Sequence, residues 1–294
     1  MPAISRLVPD VAEGDDHELD LVAWWFSTQS DLREKFGMAI RTALDETIDT
    51  ARTSRWDLEQ CNDQEKAYVG VKVEHVIRGT WSLEYGTHGM DYSIAGIDVD
   101  CKWSKKFGGW QIPGEAVGHV CLLVWADDQA SELAVGIIRI DESLLVGGNR
   151  DGKRSIQSPI GRSRIQWLVQ RGPGLPPNFL LHLAAEDRTA ILRHRGGDAR
   201  ARELFMRCEG TIIHRHTIES IGQQVDESRR FRGETRVRLL AAGFEILNGH
   251  WLKDRARAAE LGGPVPHNSK QWICLRSDGT TPARLAKRLS SGGP

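Results

Sequence analysis

Apolar residues at Phe36, Ile40, Leu44 and Ile48 recur every four positions within a charged stretch, which predicts a helix from Asp31 to about Arg52. The next periodic stretch, Ala67–Ile77, reads two ways. Val69, Val71 and Val73 alternate as a strand would, whereas Val69, Val73, Val76 and Ile77 stripe one face of a helix. From Asp91 the period drops to two. Asp91–Ile94 and Ile97–Trp103 predict two strands joined by a tight turn at Ala95-Gly96. Val117–Trp125 is a nearly continuous apolar run, as expected of a buried central strand, and Leu133–Ile140 predicts another. Helices are expected near Asp141–Val146 and Gly161–Leu168. This order predicts an α/β domain layered on a mixed sheet.

Arg171-Gly172-Pro173-Gly174-Leu175-Pro176-Pro177 then breaks the pattern. Proline lacks the N–H and glycine loses the most entropy on ordering, so neither helix nor strand is expected to continue through it. The chain is thereby divided into a first domain (1–170), a linker (171–177) and a second domain (178–294). In the second, Asp198 predicts the start of a helix reaching about Cys208, with Gly210 as its stop. Thr217 opens another helix with Ile218, Ile221 and Val225 on one face, and Glu234–Ala242 is a third, ended by Gly243. Phe244–Leu247 and His250–Leu252 flank Asn248-Gly249, a dipeptide suited to a two-residue hairpin. Helices followed by a small hairpin suggest a winged helix-turn-helix. Trp24-Trp25 and Trp125 sit in apolar runs and are expected in the core. The first dozen residues and Ser277–Pro294 are expected to fray.

Composition narrows the class. Of 294 residues, 40% are apolar and 27% charged, a balance that excludes a wholly disordered chain. The longest nearly apolar run, Val117–Ala126, is too short to span a bilayer, so no membrane partner is expected. Met1–Gly14 lacks the apolar region of a signal peptide. The five cysteines are scattered without a CxxC pair, against both a disulfide framework and a zinc ribbon, and a reducing, cytoplasmic setting fits. His214 and His216 have a poor spacing for zinc.

The net charge of −1 conceals an asymmetry. Residues 1–170 carry 18 basic and 27 acidic side chains, a net of −9, whereas residues 171–294 carry 21 and 13, a net of +8. A basic half of this kind points to a polyanionic partner. Arg229, Arg230, Arg232, Arg236 and Arg238 cluster across the turn and the third helix, where arginine can contact phosphates or read guanine in the major groove.

The candidate chemistry lies in Ile97–Trp103. Strand side chains alternate, so Asp98, Asp100 and Lys102 share one face while Ile97, Val99, Cys101 and Trp103 share the other. A tight hairpin would bring Asp91 beside Asp100. Two carboxylates suit Mg²⁺, a hard cation that can activate water and stabilise negative charge in an in-line displacement at phosphorus. A neighbouring lysine can orient that water or hold a phosphate, and Glu74 could add a third carboxylate. The product would be a hydrolysed phosphodiester. Cys101 is read as a small buried residue, not a nucleophile. The same strand also reads as an edge strand with ordinary charges on its wet face, and the pattern alone leaves both open. A second acid-x-Lys, Asp151-Gly152-Lys153, sits in a Gly-rich loop and reads as a solvated turn.

Met90-Asp91, eight residues, then Asp100-Cys101-Lys102 resembles the PD-(D/E)xK nuclease arrangement, with Met in place of the motif's Pro. The wider context resembles the NaeI family of type II restriction endonucleases. Arg55-Trp56, Val73-Glu74, Asp91-Tyr92, Ile94-Ala95-Gly96, Val99-Asp100-Cys101-Lys102 and Gly118-His119-Val120-Cys121-Leu122 carry the resemblance. Val124-Trp125-Ala126, Asp128-Gln129, Asn149-Arg150-Asp151 and Leu180-Leu181-His182 extend it. It is dense from about Arg52 to Leu192 and looser elsewhere.

The resemblance implies a restriction-endonuclease-like α/β domain followed by a mostly helical, helix-turn-helix-like DNA-binding domain. It implies Asp91 and Asp100 as Mg²⁺ ligands, Lys102 as the residue that activates or positions the attacking water, and Glu74 as an active-site acid. It implies double-stranded DNA as partner, with the second domain binding another copy of the site and activating cleavage, and a GC-rich palindrome such as GCCGGC as the first site to test. A homodimer would present one active site per strand. Two other functions fit the same residues: a DNA-binding regulator on a nuclease scaffold that no longer cuts, and a nuclease specific for lesions or mismatches.

Overall fold

Val22 and Phe26, four positions apart, are the buried side chains of the first helix, α1 (His17–Ser27), which is capped by the Asp16 carboxylate accepting from Leu19 N. The computed structural model to which this helix belongs describes residues 16–222 and 234–278. Within it the chain forms two compact units, one built from residues up to 47 and from 63 to 177, the other from 48–62 and from 178 onward. The short segment 48–62 thus belongs with the second unit, a crossing that chain order does not reveal.

In the first unit, α1 corrects one expectation. Trp24 is 40% exposed, because the helical period places it on the face opposite the Val22–Phe26 stripe. Trp125 is buried as expected, and Trp25 meets Phe26 edge-on at 5.0 Å. Helix α2 (Leu32–Ile48) carries the predicted stripe but stops at Asp49, whose φ of 49° is left-handed; a separate short helix, α3 (Thr50–Thr53), follows. The ambiguous valine stretch is helical, within α4 (Asp63–Trp81), with Val69, Val73 and Ile77 buried. Trp81 at its end meets Phe26 edge-on and Phe36 at a tilt.

The predicted hairpin is β1 (Tyr92–Ile94) and β2 (Ile97–Ser104). Ala95 and Gly96 both have positive φ, 54° and 82°, the primed turn that matches strand twist. Then come β3 (Gln111–Ile112), β4 (Val120–Asp127), β5 (Glu132–Arg139), β6 (Leu145–Val146), β7 (Arg154–Ile156), α5 (Ile160–Ser163) and β8 (Gln166–Pro173). The main sheet has the order β1-β2-β4-β5-β8, with β2 and β4 parallel and all other neighbours antiparallel. A small sheet, β3-β7-β6, lies apart from it. Cys121, Leu123, Trp125, Ala134 and Ile138 from β4 and β5 pack with Trp110, Ile112, Leu145, Ile156 and Ile165 as one core layer.

Two predicted helices are corrected. Asp141–Val146 is a single 3₁₀ turn followed by β6, and the second helix stops at Ser163 before β8 begins. β8 also continues into the stretch expected to be linker, reaching Pro173. It is the sheet's edge, where a proline need not donate outward. Its approach to β5 depends on Gly136, where a Cβ would lie 2.5 Å from Ile165 Cγ2, and the register shifts at that point.

The second unit comprises α3, α6 (Phe179–His182), α7 (Ala185–Leu192), α8 (Gly197–Arg207), β9 (Ile213–His214), α9 (Arg215–Gly222), α10 (Glu234–Ala241), β10 (Phe244–Asn248), α11 (Leu252–Glu260) and β11 (Gln271–Arg276). Leu204, Phe205, Ile213, Ile218, Ile221, Leu239, Ile246 and Trp272 form its core. The three predicted helices are present as α8, α9 and α10; Gly196 rather than Asp198 caps α8, and Val225 lies outside the described residues. Buried Arg200 on α8 donates to Ala51 O at 2.8 Å and to Ser54 Oγ at 3.0 Å, which ties segment 48–62 to this unit.

The hairpin expectation at Asn248-Gly249 is corrected. β10 pairs with β11, not with His250–Leu252, and α11 intervenes; the antiparallel sheet runs β10-β11-β9. Asn248 is not a turn residue but a buried brace, its amide donating to Ser269 O at 3.2 Å and Gln271 O at 2.9 Å. Among the described residues no helix is long and apolar enough to cross a membrane, and all five cysteines are buried and none is in a disulfide.

Candidate active site

Strand alternation on β2 fixes the starting geometry. Val99 and Cys101 are buried on one side, and Asp98, Asp100 and Lys102 lie on the other. In the β1–β2 ladder Tyr92 faces Val99, so one residue earlier Asp91 falls opposite Asp100. Asp91 Oδ2 accepts from Cys101 N at 2.7 Å, extending the ladder by a side chain where the strand itself has ended. Lys102 Nζ lies 2.7 Å from both carboxylate oxygens of Asp100 and donates to Cys101 O at 3.2 Å. From the parallel neighbour β4, Cys121 Sγ reaches Asp100 Oδ2 at 3.7 Å.

The electrostatics follow from this crowding. Burial, reinforced by the Asp91 carboxylate and opposed by Lys102, pushes the Asp100 pKa up to about 6. Burial works to lower the Lys102 pKa, but the Asp100 and Asp91 carboxylates outweigh it and the net direction is upward, so the ammonium is charged at neutral pH. Glu74 on α4 is raised by burial and then by Asp91, against His75 and Arg78; Arg78 Nη1 donates to its carboxylate at 3.3 Å. Tyr92 OH donates to the Glu74 backbone carbonyl at 3.0 Å. Cys101 is buried and its thiol pKa is driven well upward by that burial, with Tyr92 opposing, which suits a packing residue and not a nucleophile.

All four predicted residues are therefore brought together: Glu74 beside Asp91, Asp91 beside Asp100, and Asp100 under Lys102. A hard divalent cation fits this donor set. The oxygens come from two adjacent carboxylates whose charges disfavour one another, and Mg²⁺ commonly takes one or two carboxylates and keeps water for the rest. Among the described residues no group of three or more His, Cys, Asp or Glu is placed to hold a metal, and this includes His214 and His216, whose rings are 5.7 Å apart.

The five predicted DNA-binding arginines separate. Arg229, Arg230 and Arg232 lie outside the described residues. Arg238 is exposed on α10. Arg236 is turned inward, with Nη2 donating to Ile246 O at 2.6 Å and to the buried Asp254 carboxylate at 2.7 Å. Three contributors have no role in the motif itself: Tyr92 and Cys121, which only help to carry the resemblance, and Thr87, which donates its hydroxyl and its N–H to Asp98. Asp98 carried a signal, since it has the same strand parity as Asp100 and Lys102.

A carboxylate and an ammonium along one strand of a five-stranded mixed sheet flanked by helices, with a second carboxylate delivered beside them from the start of the neighbouring strand, describe a nuclease-like α/β domain. The family model for restriction endonuclease NaeI matches residues 21–281. The type II restriction enzyme NaeI of Lentzea aerocolonigenes is 35% identical over 274 residues, covering 91% of this chain and 86% of that protein. The chain belongs to the NaeI family of restriction endonucleases.

Proposed function

We propose that this chain is a Mg²⁺-dependent type II restriction endonuclease that hydrolyses phosphodiester bonds of double-stranded DNA at a specific sequence. The observation that carries the reading is the pairing of Asp91 and Asp100 beside the Lys102 ammonium in a chain of this family. Asp91 and Asp100 would hold Mg²⁺, which, when bound, acidifies water and offsets charge on the scissile phosphate. Lys102, held against the Asp100 carboxylate, activates or orients the attacking water and meets the charge developing on the phosphate. Glu74, with its raised pKa, takes a proton more readily than a free carboxylate. The water gives up a proton as its oxygen bonds to phosphorus, the bond to the 3′ oxygen breaks, and that oxygen takes a proton from solvent, leaving 5′-phosphate and 3′-hydroxyl ends.

The second unit is read as a winged helix-turn-helix variant holding a further, effector copy of the DNA. Helices α8, α9 and α10, the β9-β11-β10 sheet and the net charge of +8 over residues 171–294 support this, with α11 set between the two longer strands. Arg229, Arg230, Arg232 and Arg238 make the DNA contacts, and Arg236 holds α10, the helix that carries Arg238. A homodimer places one active site on each strand of a palindrome.

The test is digestion of unmethylated plasmid by the purified protein, with Mg²⁺ and with EDTA, and with and without added GCCGGC duplex. Discrete fragments that require Mg²⁺ and vanish in Asp100→Ala are expected. Intact plasmid at every Mg²⁺ and salt concentration, even with added duplex, overturns the reading.

A further inference from the structure

Asp98 shares a strand and a face with Asp100, yet its bonds run to the connection between α4 and β1. Its Oδ1 accepts from Thr87 N at 2.9 Å, its Oδ2 accepts the Thr87 hydroxyl, and His88 Nδ1 lies 3.5 Å away. Thr87–Met90 is a tight turn, closed by Met90 N donating to Thr87 O at 2.9 Å, with His88 and Gly89 both left-handed at φ 52° and 82°. Just before it, Glu84 pairs with Ser93, Ser93 N donating to Glu84 O at 2.9 Å, so the connection doubles back along β1. Gly86 fits only without a side chain: a Cβ there would stand 2.6 Å from Met90 O and 2.7 Å from Tyr92 O.

The residue this turn delivers is Asp91. In the motif the chain resembles, a proline precedes that acid and its ring would restrict the backbone. Here the position is Met90, whose backbone is free to vary. The restraint comes instead from the two Thr87 bonds to Asp98, which tie the turn to the strand carrying Asp100. A carboxylate accepting two such bonds is a strong anchor.

We propose that Asp98 is a positioning residue for cleavage: by holding Thr87 it fixes the turn that places the Asp91 carboxylate against Cys101 N and beside Asp100. The inference rests on the nuclease reading above for its catalytic consequence, but the placement itself is measurable without metal or DNA.

Full-length Asp98→Ala and Asp98→Asn are compared with wild type by amide hydrogen exchange in the metal-free protein. The Cys101 amide reports on Asp91, and the Leu123 amide, central in the sheet, reports global opening. Cys101 exchange is expected to rise about tenfold in Asp98→Ala with Leu123 unchanged. In Asp98→Asn it should stay near wild type, because an amide oxygen still accepts from Thr87 N. In the cleavage assay, the Mg²⁺ concentration for half-maximal rate should rise about tenfold in Asp98→Ala, at unchanged DNA affinity, and be rescued by Asn. Should Asp98→Ala fail to fold, Thr87→Ala and Thr87→Ser give the same comparison at the other end of the bond, with serine restoring what alanine loses. Unchanged Cys101 exchange in Asp98→Ala, or an Asn variant as impaired as the alanine one, overturns the proposal. A wild type that does not cut overturns the nuclease reading alone, and the exchange result still decides whether Asp98 places Asp91.

Discussion

Lys102 Nζ lies 2.7 Å from both oxygens of the Asp100 carboxylate two residues before it, so the central acid of the site is already neutralised by the site's own cation. Lys102→Met keeps the length of the side chain and removes the charge. Single-turnover cleavage is expected to fall by about 10²–10³-fold or more, the scale of losing one preorganised charge-stabilising group. DNA affinity, measured by filter binding without Mg²⁺, should change by no more than a few-fold, because the arginines of the second unit are untouched. Lys102→Arg should not restore the rate, since a planar fork cannot replace a point charge held against the Asp100 carboxylate and the Cys101 carbonyl.

A second buried charge cluster stands apart from the site. Fully buried Arg41 pairs with Asp45 at 2.7 Å and with Asp128. Burial, opposed by Arg41, pushes the Asp45 pKa up to about 6. An acid whose folded pKa is raised contributes stability that is full below its unfolded pKa of about 4 and is lost as pH rises through the folded one. Wild type should therefore lose stability relative to Asp45→Asn between pH 4 and 7, by up to about 2–3 kcal/mol at the top of that window. Urea denaturation of both proteins across the window measures the slope, which does not depend on what the substitution does at any one pH. A flat difference would mean that Asp45 titrates normally.

The site was legible in the sequence where local geometry alone decides it. A two-residue primed turn at Ala95-Gly96 and strict alternation along β2 suffice to bring Asp91, Asp100 and Lys102 together. What local pattern could not supply was any feature decided by a distant partner. β8 is a strand because β5 offers an edge with Gly136 to lie against. Asn248-Gly249 carries a hairpin's residues, but the Asn side chain is spent bracing carbonyls at Ser269 and Gln271, and the Gly admits the backbone of Asn268 at 2.5 Å from where a Cβ would be. The helical reading of the valine stretch was settled by the same logic, since Val69, Val73 and Ile77 have a core to meet.

Gly86 gives a prediction about the connection that carries Asp91. Gly86→Ala would force a methyl to within 2.6 Å of Met90 O, and the backbone on both sides must shift. Overpacking of this kind costs roughly 1–3 kcal/mol. Because the shift falls between the Thr87 anchor and Asp91, activity should drop further than stability accounts for: at a temperature where the variant is fully folded by circular dichroism, the cleavage rate should still be reduced about tenfold or more. Full activity in the folded variant would show that the connection tolerates displacement without moving Asp91.

Arg236 and Arg238 stand two residues apart on α10 and are expected to fail in different ways. Arg236 is bonded to Ile246 O and to Asp254, which is itself buried and accepts from Asn248 N at 3.1 Å. Arg236→Ala leaves that carboxylate without its counter-charge, and breaking a buried pair from one side costs roughly 3 kcal/mol or more. Its signature is a lowered melting temperature, with DNA affinity close to wild type at temperatures where the second unit remains folded. Arg238 is exposed, so Arg238→Ala should melt within about 0.5 kcal/mol of wild type. It should weaken DNA binding across sequences alike and reduce the slope of log affinity against log salt by about 1, the mark of one lost phosphate contact. Thermal denaturation and salt-dependent binding of the two variants separate the roles. Equal losses of affinity with unchanged melting would place both guanidiniums on the DNA and would mean that the Asp254 pair opens when DNA binds.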